Sequence, residues 1–274
     1  MSVLVATGPD DIDSTCARLA GLGALETRIV SPSEVRRVVL ATVADDRDAE
    51  RVAVQLRSEG MLAVTRPDGG PRLERWMQDS EPITFDGRLS ISLAWSEHDR
   101  SGLPGLIELG PGGFGDGTHP TTAMLIDELL RRIKGGERVL DVGCGSGVLG
   151  LCALRLGAAE LVATDIKPDA VDAARHNAAL NGLSERVIAT AAPLDEIDGE
   201  FEVIVANVGR AAIVDLAAQL VRLLSAGGWL AVSGISPPQC SMIADFLGPL
   251  VEIDRAISGE WGAVVLGAVP TTRG

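Results

Sequence analysis

The chain has no tyrosine, and its aromatic residues amount to only 3% of 274. A core must therefore be built from Ala, Val, Leu and Ile. Lysine is almost missing as well: Lys134 and Lys167 stand alone among arginines, which reads as a coding bias rather than a functional signal. Positive charge is in deficit, with a formal net charge of −14. That balance argues against a duplex-binding surface, because phosphate recognition needs clustered cations. The same field would draw in a cationic partner such as a basic protein or an amine. Cysteine is sparse: Cys16, Cys144, Cys152 and Cys240 show no C-x-x-C spacing and no nearby His pair. Zinc is excluded on that ground, no other metal site is expected, and a reduced, cytoplasmic setting is. No stretch approaches the ~20 apolar residues that cross a bilayer, and the first ten residues lack the basic and apolar regions of a signal peptide. A soluble protein without membrane contact is expected.

What is present is enough to fold. Apolar residues make up 46% of the chain, near the globular norm of roughly 45–50%, so disorder is excluded as the main theme. The length fits one large domain or two small ones. Residues 1–66 run strand, helix, strand, strand, helix, strand, with an amphipathic helix from Ile12 to Leu22 and a second that starts at Asp45-Asp46 and stops at Gly60. This order predicts a small ferredoxin-like α+β domain. Residues 67–111 are Pro/Gly-rich and irregular, with a turn signal at Pro67-Asp-Gly-Gly-Pro71 and one alternating stretch, Arg88 to Trp95. They read as a connector. From residue 112 to 274 strands and helices alternate regularly, which predicts a doubly wound, mostly parallel sheet closed by an antiparallel pair at Val251 to Ile257 and Trp261 to Val269.

The strongest local signal is Val139-Leu-Asp141-Val-Gly143-Cys-Gly145-Ser-Gly147, a strand that ends in a glycine turn and opens a helix. Glycines let the backbone approach a ligand, and the helix N-terminus offers unpaired N–H groups. A dinucleotide fingerprint would read G-x-G-x-x-G; here the third glycine follows after one residue. Asp165 lies 22 residues beyond Gly143, at the end of the next strand, where a carboxylate can accept from both hydroxyls of a ribose. Upstream, Pro111-Gly-Gly-Phe114-Gly-Asp-Gly117-Thr-His119-Pro-Thr121-Thr122 feeds into a helix whose first turn suits Pro120. His119 reads first as a helix cap and second as an acid–base group. Asn207 follows the buried strand Val203-Ile-Val-Ala at the same sheet edge and can meet substrate or cofactor. Asn177 and Asn181 read as helix-end residues, His98 and His176 as surface residues, and Arg210 as solvated.

Taken together, the Gly113–Thr122 loop, the Asp141–Gly147 turn and the Asn207-Val208-Gly209 segment resemble the PrmA family, methyltransferases that modify ribosomal protein L11. The resemblance extends over roughly residues 72–235. It implies a class I methyltransferase domain that uses S-adenosylmethionine. Cofactor contacts carried over from the family fall on Thr122, Gly143, Asp165 and Asn207, with Asp141 and Gly145 in the same turn; the chemistry of methyl transfer makes Asn207 the candidate that orients the acceptor nitrogen, and His119 a secondary candidate as proton acceptor. Two departures stand out: Asp116 replaces the family's usual Thr, and Val208-Gly209 replaces its Ile-Leu. The expected reaction is methylation of lysine side chains or the N-terminal amine of ribosomal protein L11, by a monomer. Methylation of another protein or a small amine, a cofactor-binding module without catalysis, and a nicotinamide-dependent oxidoreductase are the alternatives.

Overall fold

The computed structural model describes residues 2–7, 11–31, 37–59, 61–66, 81–94, 96, 98–110 and 117–267. The turn expected at 67–71 and the departure at Asp116 lie outside the described residues. Two compact units emerge: Met1–Pro82 with Ile91–Gly102 and Glu108–Gly112, and Ile83–Ser90 with Leu103–Ile107 and Gly113–Gly274.

The first unit opens with β1 (Ser2–Thr7), α1 (Ile12–Gly21), β2 (Glu26–Ser31), β3 (Arg37–Thr42), α2 (Asp46–Ser58) and β4 (Leu62–Arg66). The strands form an antiparallel sheet in the order β2-β3-β1-β4. Alternation puts Val3 and Val5 on one face of β1 and Val39 and Ala41 on the same face of β3, all buried. Helix α2 covers that face with Ala49, Val52, Ala53 and Leu56, spaced i, i+3, i+4, i+7 as one helical stripe requires.

Between residues 83 and 109 the structure corrects the expectation of an irregular connector. Three short strands, β5 (Ile83–Phe85), β6 (Leu89–Leu93) and β7 (Leu106–Leu109), pair in chain order as one sheet. The turn between β5 and β6 is Asp86-Gly87, with φ of +48° and +61°, the left-handed pair that a tight hairpin demands.

The second unit carries the larger sheet. Its elements are α3 (Pro120–Arg132), β8 (Arg138–Val142), α4 (Val148–Arg155), β9 (Glu160–Thr164), α5 (Pro168–Leu180), β10 (Val187–Thr190), β11 (Phe201–Asn207), α6 (Arg210–Leu223), β12 (Leu224–Ile235), α7 (Gln239–Phe246), β13 (Val251–Ser258) and β14 (Trp261–Gly267). Seven strands lie in the order β10-β9-β8-β11-β12-β14-β13. The first five run parallel, and β14 pairs antiparallel with both β12 and β13. The doubly wound, mostly parallel sheet read from the sequence is thus present, closed by its antiparallel pair. Helices flank both faces, so β8 and β11 are near-continuous apolar runs with Val139, Leu140, Val203 and Ile204 at 0% exposure. The strand order reverses between β8 and β11, and ligands bind beyond the carboxyl ends of strands at such a switch point.

No helix among the described residues is long and apolar enough to cross a membrane. The four cysteines are free, and three of them are buried.

Candidate active site

The glycine turn after β8 is built by the backbone. Gly143 and Cys144 donate their N–H groups to the Thr164 carbonyl at 2.8 and 3.0 Å, which ties the turn to the end of β9. Gly143 has φ of +69°, and a Cβ there would lie 2.3 Å from Val208 Cγ1, so only glycine fits. Beneath the turn, Asp141 is 1% exposed and its Oδ2 accepts from Gly150 N–H at 3.0 Å. Burial pushes the Asp141 carboxyl up to about 7; the Gly150 N–H works against this, and the Asp165 charge adds to it. Cys144 sits within the turn, yet burial and the two carboxylates hold its thiol well above the ordinary range, so it supplies no thiolate.

Asp165, just past β9, holds the turn from above. Its Oδ2 accepts from Gly145 N–H at 3.1 Å and its Oδ1 from Lys167 N–H at 2.9 Å. An ionised carboxylate has about four lone-pair directions, so each oxygen keeps acceptor capacity for an incoming diol. On the opposite side, Asn207 ends β11, and its Nδ2 donates to Thr122 Oγ1 at 3.2 Å. Thr122 is buried in the first turn of α3, which brings the upstream loop and the strand end together.

These residues border a cavity of about 630 Å³. Gly143, Gly145, Asp165 and Asn207 line it directly; Asp141 lies under its floor, and Thr122 reaches it through Asn207. Much of the remaining lining is apolar, with Ile166, Ala192, Leu194, Ala212 and Leu216 among it, while Lys167 and Asp169 add charge beside Asp165. Sequence inspection singled out none of these apolar residues, since isolated apolar residues after strands carry no motif. Ile166 is 90% exposed, an unusual state for a large aliphatic side chain at the mouth of a cleft. A carboxylate at a strand end, a largely apolar wall and a glycine-rich backbone turn fit S-adenosylmethionine, and the volume lies within the roughly 300–1,000 Å³ of small-molecule sites.

His119 occupies the N-cap of α3 and is not among the cavity walls. Its Nδ1 accepts from Thr121 N–H at 3.4 Å and lies 2.7 Å from Thr121 Oγ1. Its ring meets Trp261 edge-on, with centroids 5.1 Å apart. Asn177 lies in the last turn of α5, as a helix-end residue does, but it is 1% exposed and donates to the Ser146 carbonyl at 2.8 Å. It therefore pins the glycine turn to α5. Asn181 also sits at the helix end, donating to the Asn177 carbonyl at 2.7 Å.

With this geometry in view, similarity to known proteins is specific. The profile of the family described as "Ribosomal protein L11 methyltransferase (PrmA)" matches residues 47–268. A ribosomal protein L11 methyltransferase of Vibrio cholerae is 34% identical over 245 residues, which cover 86% of this chain and 81% of that protein. One from Pseudomonas putida is 38% identical over 230 residues, covering 79% and 78% respectively. Among solved structures, the ribosomal protein L11 methylase of Lactobacillus delbrueckii subsp. bulgaricus aligns with a TM-score of 0.62 and 31% identity, across 68% of this chain and 98% of that one. The chain belongs to the ribosomal protein L11 methyltransferase (PrmA) family.

Proposed function

We propose that this chain is an S-adenosylmethionine-dependent N-methyltransferase that methylates amino groups, on lysine side chains or at the N-terminal amine, of ribosomal protein L11. The observation that carries the reading is the pairing, at one sheet edge, of a ribose-competent carboxylate, Asp165, with an amide, Asn207, that faces the same cavity. The formal charge of −14 suits a basic protein substrate. A monomer acting in the cytoplasm, without direct nucleic-acid binding, completes the proposal.

When bound, S-adenosylmethionine supplies a methyl group on a sulfonium, open to in-line attack by an amine. The protein's part is chiefly alignment, worth up to about 7–11 kcal/mol in favourable cases. Asp165 and the Gly143–Gly145 backbone hold the nucleoside part; the apolar wall takes the base. Asn207 has its Nδ2 committed to Thr122, so it presents Oδ1 to an N–H of the acceptor amine. A free lysine must first lose a proton, at a cost of about 4–5 kcal/mol at neutral pH from a pKa near 10.4. Partial burial in the cleft favours the neutral amine and lowers that cost. The proton leaves to water, and no side chain is required as a dedicated base. His119 acts in this scheme as the cap that fixes the first turn of α3, and with it Thr122.

The test is mass spectrometry of purified ribosomal protein L11 after incubation with the chain and S-adenosylmethionine. Added methyl groups with the wild type, and a rate lower by about 100-fold with Asn207→Ala, are expected. Unmodified protein would overturn the assignment of substrate, and an unchanged rate in the variant would overturn the role of Asn207.

A further inference from the structure

The segment that follows Asn207 is gripped from two sides by residues without a Cβ. Val208 Cγ1 sits where a Cβ on Gly143 would be, at 2.3 Å from its ideal position. On the other side, Gly234 interrupts β12. The pairing of β12 with β14 shifts register between Ser233 and Ile235, so Gly234 forms a bulge, and its φ is +88°. A Cβ at Gly234 would lie 2.5 Å from the Val208 carbonyl oxygen and 2.9 Å from its carbonyl carbon. Both are main-chain atoms and cannot swing aside as a side-chain tip can. Bulges of this kind concentrate beside active sites and re-aim neighbouring groups. The neighbour here is Asn207, which pairs with Ser233 in the parallel ladder between β11 and β12.

We infer that Gly234 is a positioning residue for methyl transfer: with Gly143 it clamps the Val208 peptide, and through that peptide it sets Asn207 against Thr122 and the cavity. Val208 cannot retreat from Gly234 toward the glycine turn, because its own side chain already fills the space above Gly143. Any side chain at 234 therefore displaces the acceptor half of the site. The donor half is held by different contacts, those of Asp165 with Gly145 and Lys167. Gly143 is common to both halves, but the contacts of Asp165 keep the donor half in place when the Val208 peptide moves.

This inference rests on the proposed role of Asn207, and the experiment separates the two. Gly234→Ala, Asn207→Ala and the double variant are compared with the wild type in methyl transfer to ribosomal protein L11, in affinity for S-adenosylhomocysteine and in thermal melting. Gly234→Ala is expected to lower kcat by about 10- to 100-fold, the scale of a 1 Å misplacement, while nucleoside affinity changes less than about threefold. In the Asn207→Ala background the same substitution should cost no more than about twofold, because the two act as a unit. Equal loss of rate and nucleoside affinity, or losses that multiply in the double variant, would overturn the positioning role. A normal rate in Gly234→Ala beside a slow Asn207→Ala would overturn the clamp alone; a normal rate in Asn207→Ala would overturn the reading beneath it. If Gly234→Ala does not melt cooperatively, Val208→Ala removes the side-chain half of the clamp. Val208 also lines the cavity, so the expected result is a kcat lowered by a larger factor than the nucleoside affinity, and a wild-type kcat would overturn the inference.

Discussion

Replacing the Asp141 carboxyl by an amide should make the protein more stable, and increasingly so as the pH rises. The side chain is 1% exposed, and its carboxyl is raised from 3.8 to about 7 by burial, with the nearby Asp165 charge adding to the effect. The unfolded chain releases this proton near the ordinary value, whereas the folded chain keeps it until the pH passes the raised one. Between those limits the native state binds more protons, so stability falls as pH increases. The full penalty, reached above the folded value, corresponds to about 4 kcal/mol. An asparagine never ionises, and its Oδ1 can still accept from Gly150 N–H. The difference in unfolding free energy between Asp141→Asn and wild type should therefore grow from near zero at about pH 4 to about 4 kcal/mol at about pH 8. Urea unfolding followed by circular dichroism across that range measures it. A difference that does not vary with pH, or one that shrinks as pH rises, would refute the argument that burial governs this group. In an Asp165→Ala background the rise should start at the same pH but level off at a lower pH and at a smaller total, since one source of the upward shift in the folded state is gone.

Two further outcomes follow from packing around α3. His119→Ala removes the N-cap contact to Thr121 and the edge-on contact with Trp261, and should cost about 2 kcal/mol in thermal or urea unfolding while leaving the shape of the pH–rate profile as it was; loss of a limb of that profile would make His119 an acid–base group instead. Glu128 is 0% exposed and paired with Arg131 and Arg132. Arg132 also binds Asp254 of β13 at 2.8 Å. Arg132→Ala would leave the buried Glu128 with one partner and should destabilise by about 2–3 kcal/mol in denaturant titration, and a loss below about 1 kcal/mol would contradict the view that Glu128 depends on this partner.

How much of this was legible in the sequence depends on whether the cause was local. The glycine turn, the Pro-initiated helices α3 and α5 and the alternating strands of the second unit follow from neighbouring residues, and the structure places them within a few positions of expectation. The Asp86-Gly87 hairpin is equally local, and the alternation from Arg88 to Trp95 marks β6, but the Pro/Gly-rich surroundings mask its short partners β5 and β7. The helix-end reading of Asn177 leaves out its contact with the turn, because that comes from α5 lying across it, a tertiary fact that places a last-turn amide against the Ser146 carbonyl. The grip of Gly143 and Gly234 on Val208 is of the same kind. It joins the ends of three strands that are neighbours in the sheet and far apart in the chain, and only the bulge in β12 exposes it. The apolar wall of the cavity likewise has no signature in the sequence, being assembled from a strand end, a loop and the first turns of α6.

The central claim is that the nucleoside of the methyl donor is seated by Asp165 and the backbone cradle it supports. Titration calorimetry with S-adenosylmethionine on wild type and Asp165→Ala tests it without reference to any acceptor. One-to-one binding by the wild type is expected, weakened in the variant by about 3 kcal/mol or more, since two charge-assisted hydrogen bonds to the ribose are lost at about 1.5–3 kcal/mol each. Equal affinity in the two proteins, or a wild type that binds NAD and not S-adenosylmethionine, would contradict it.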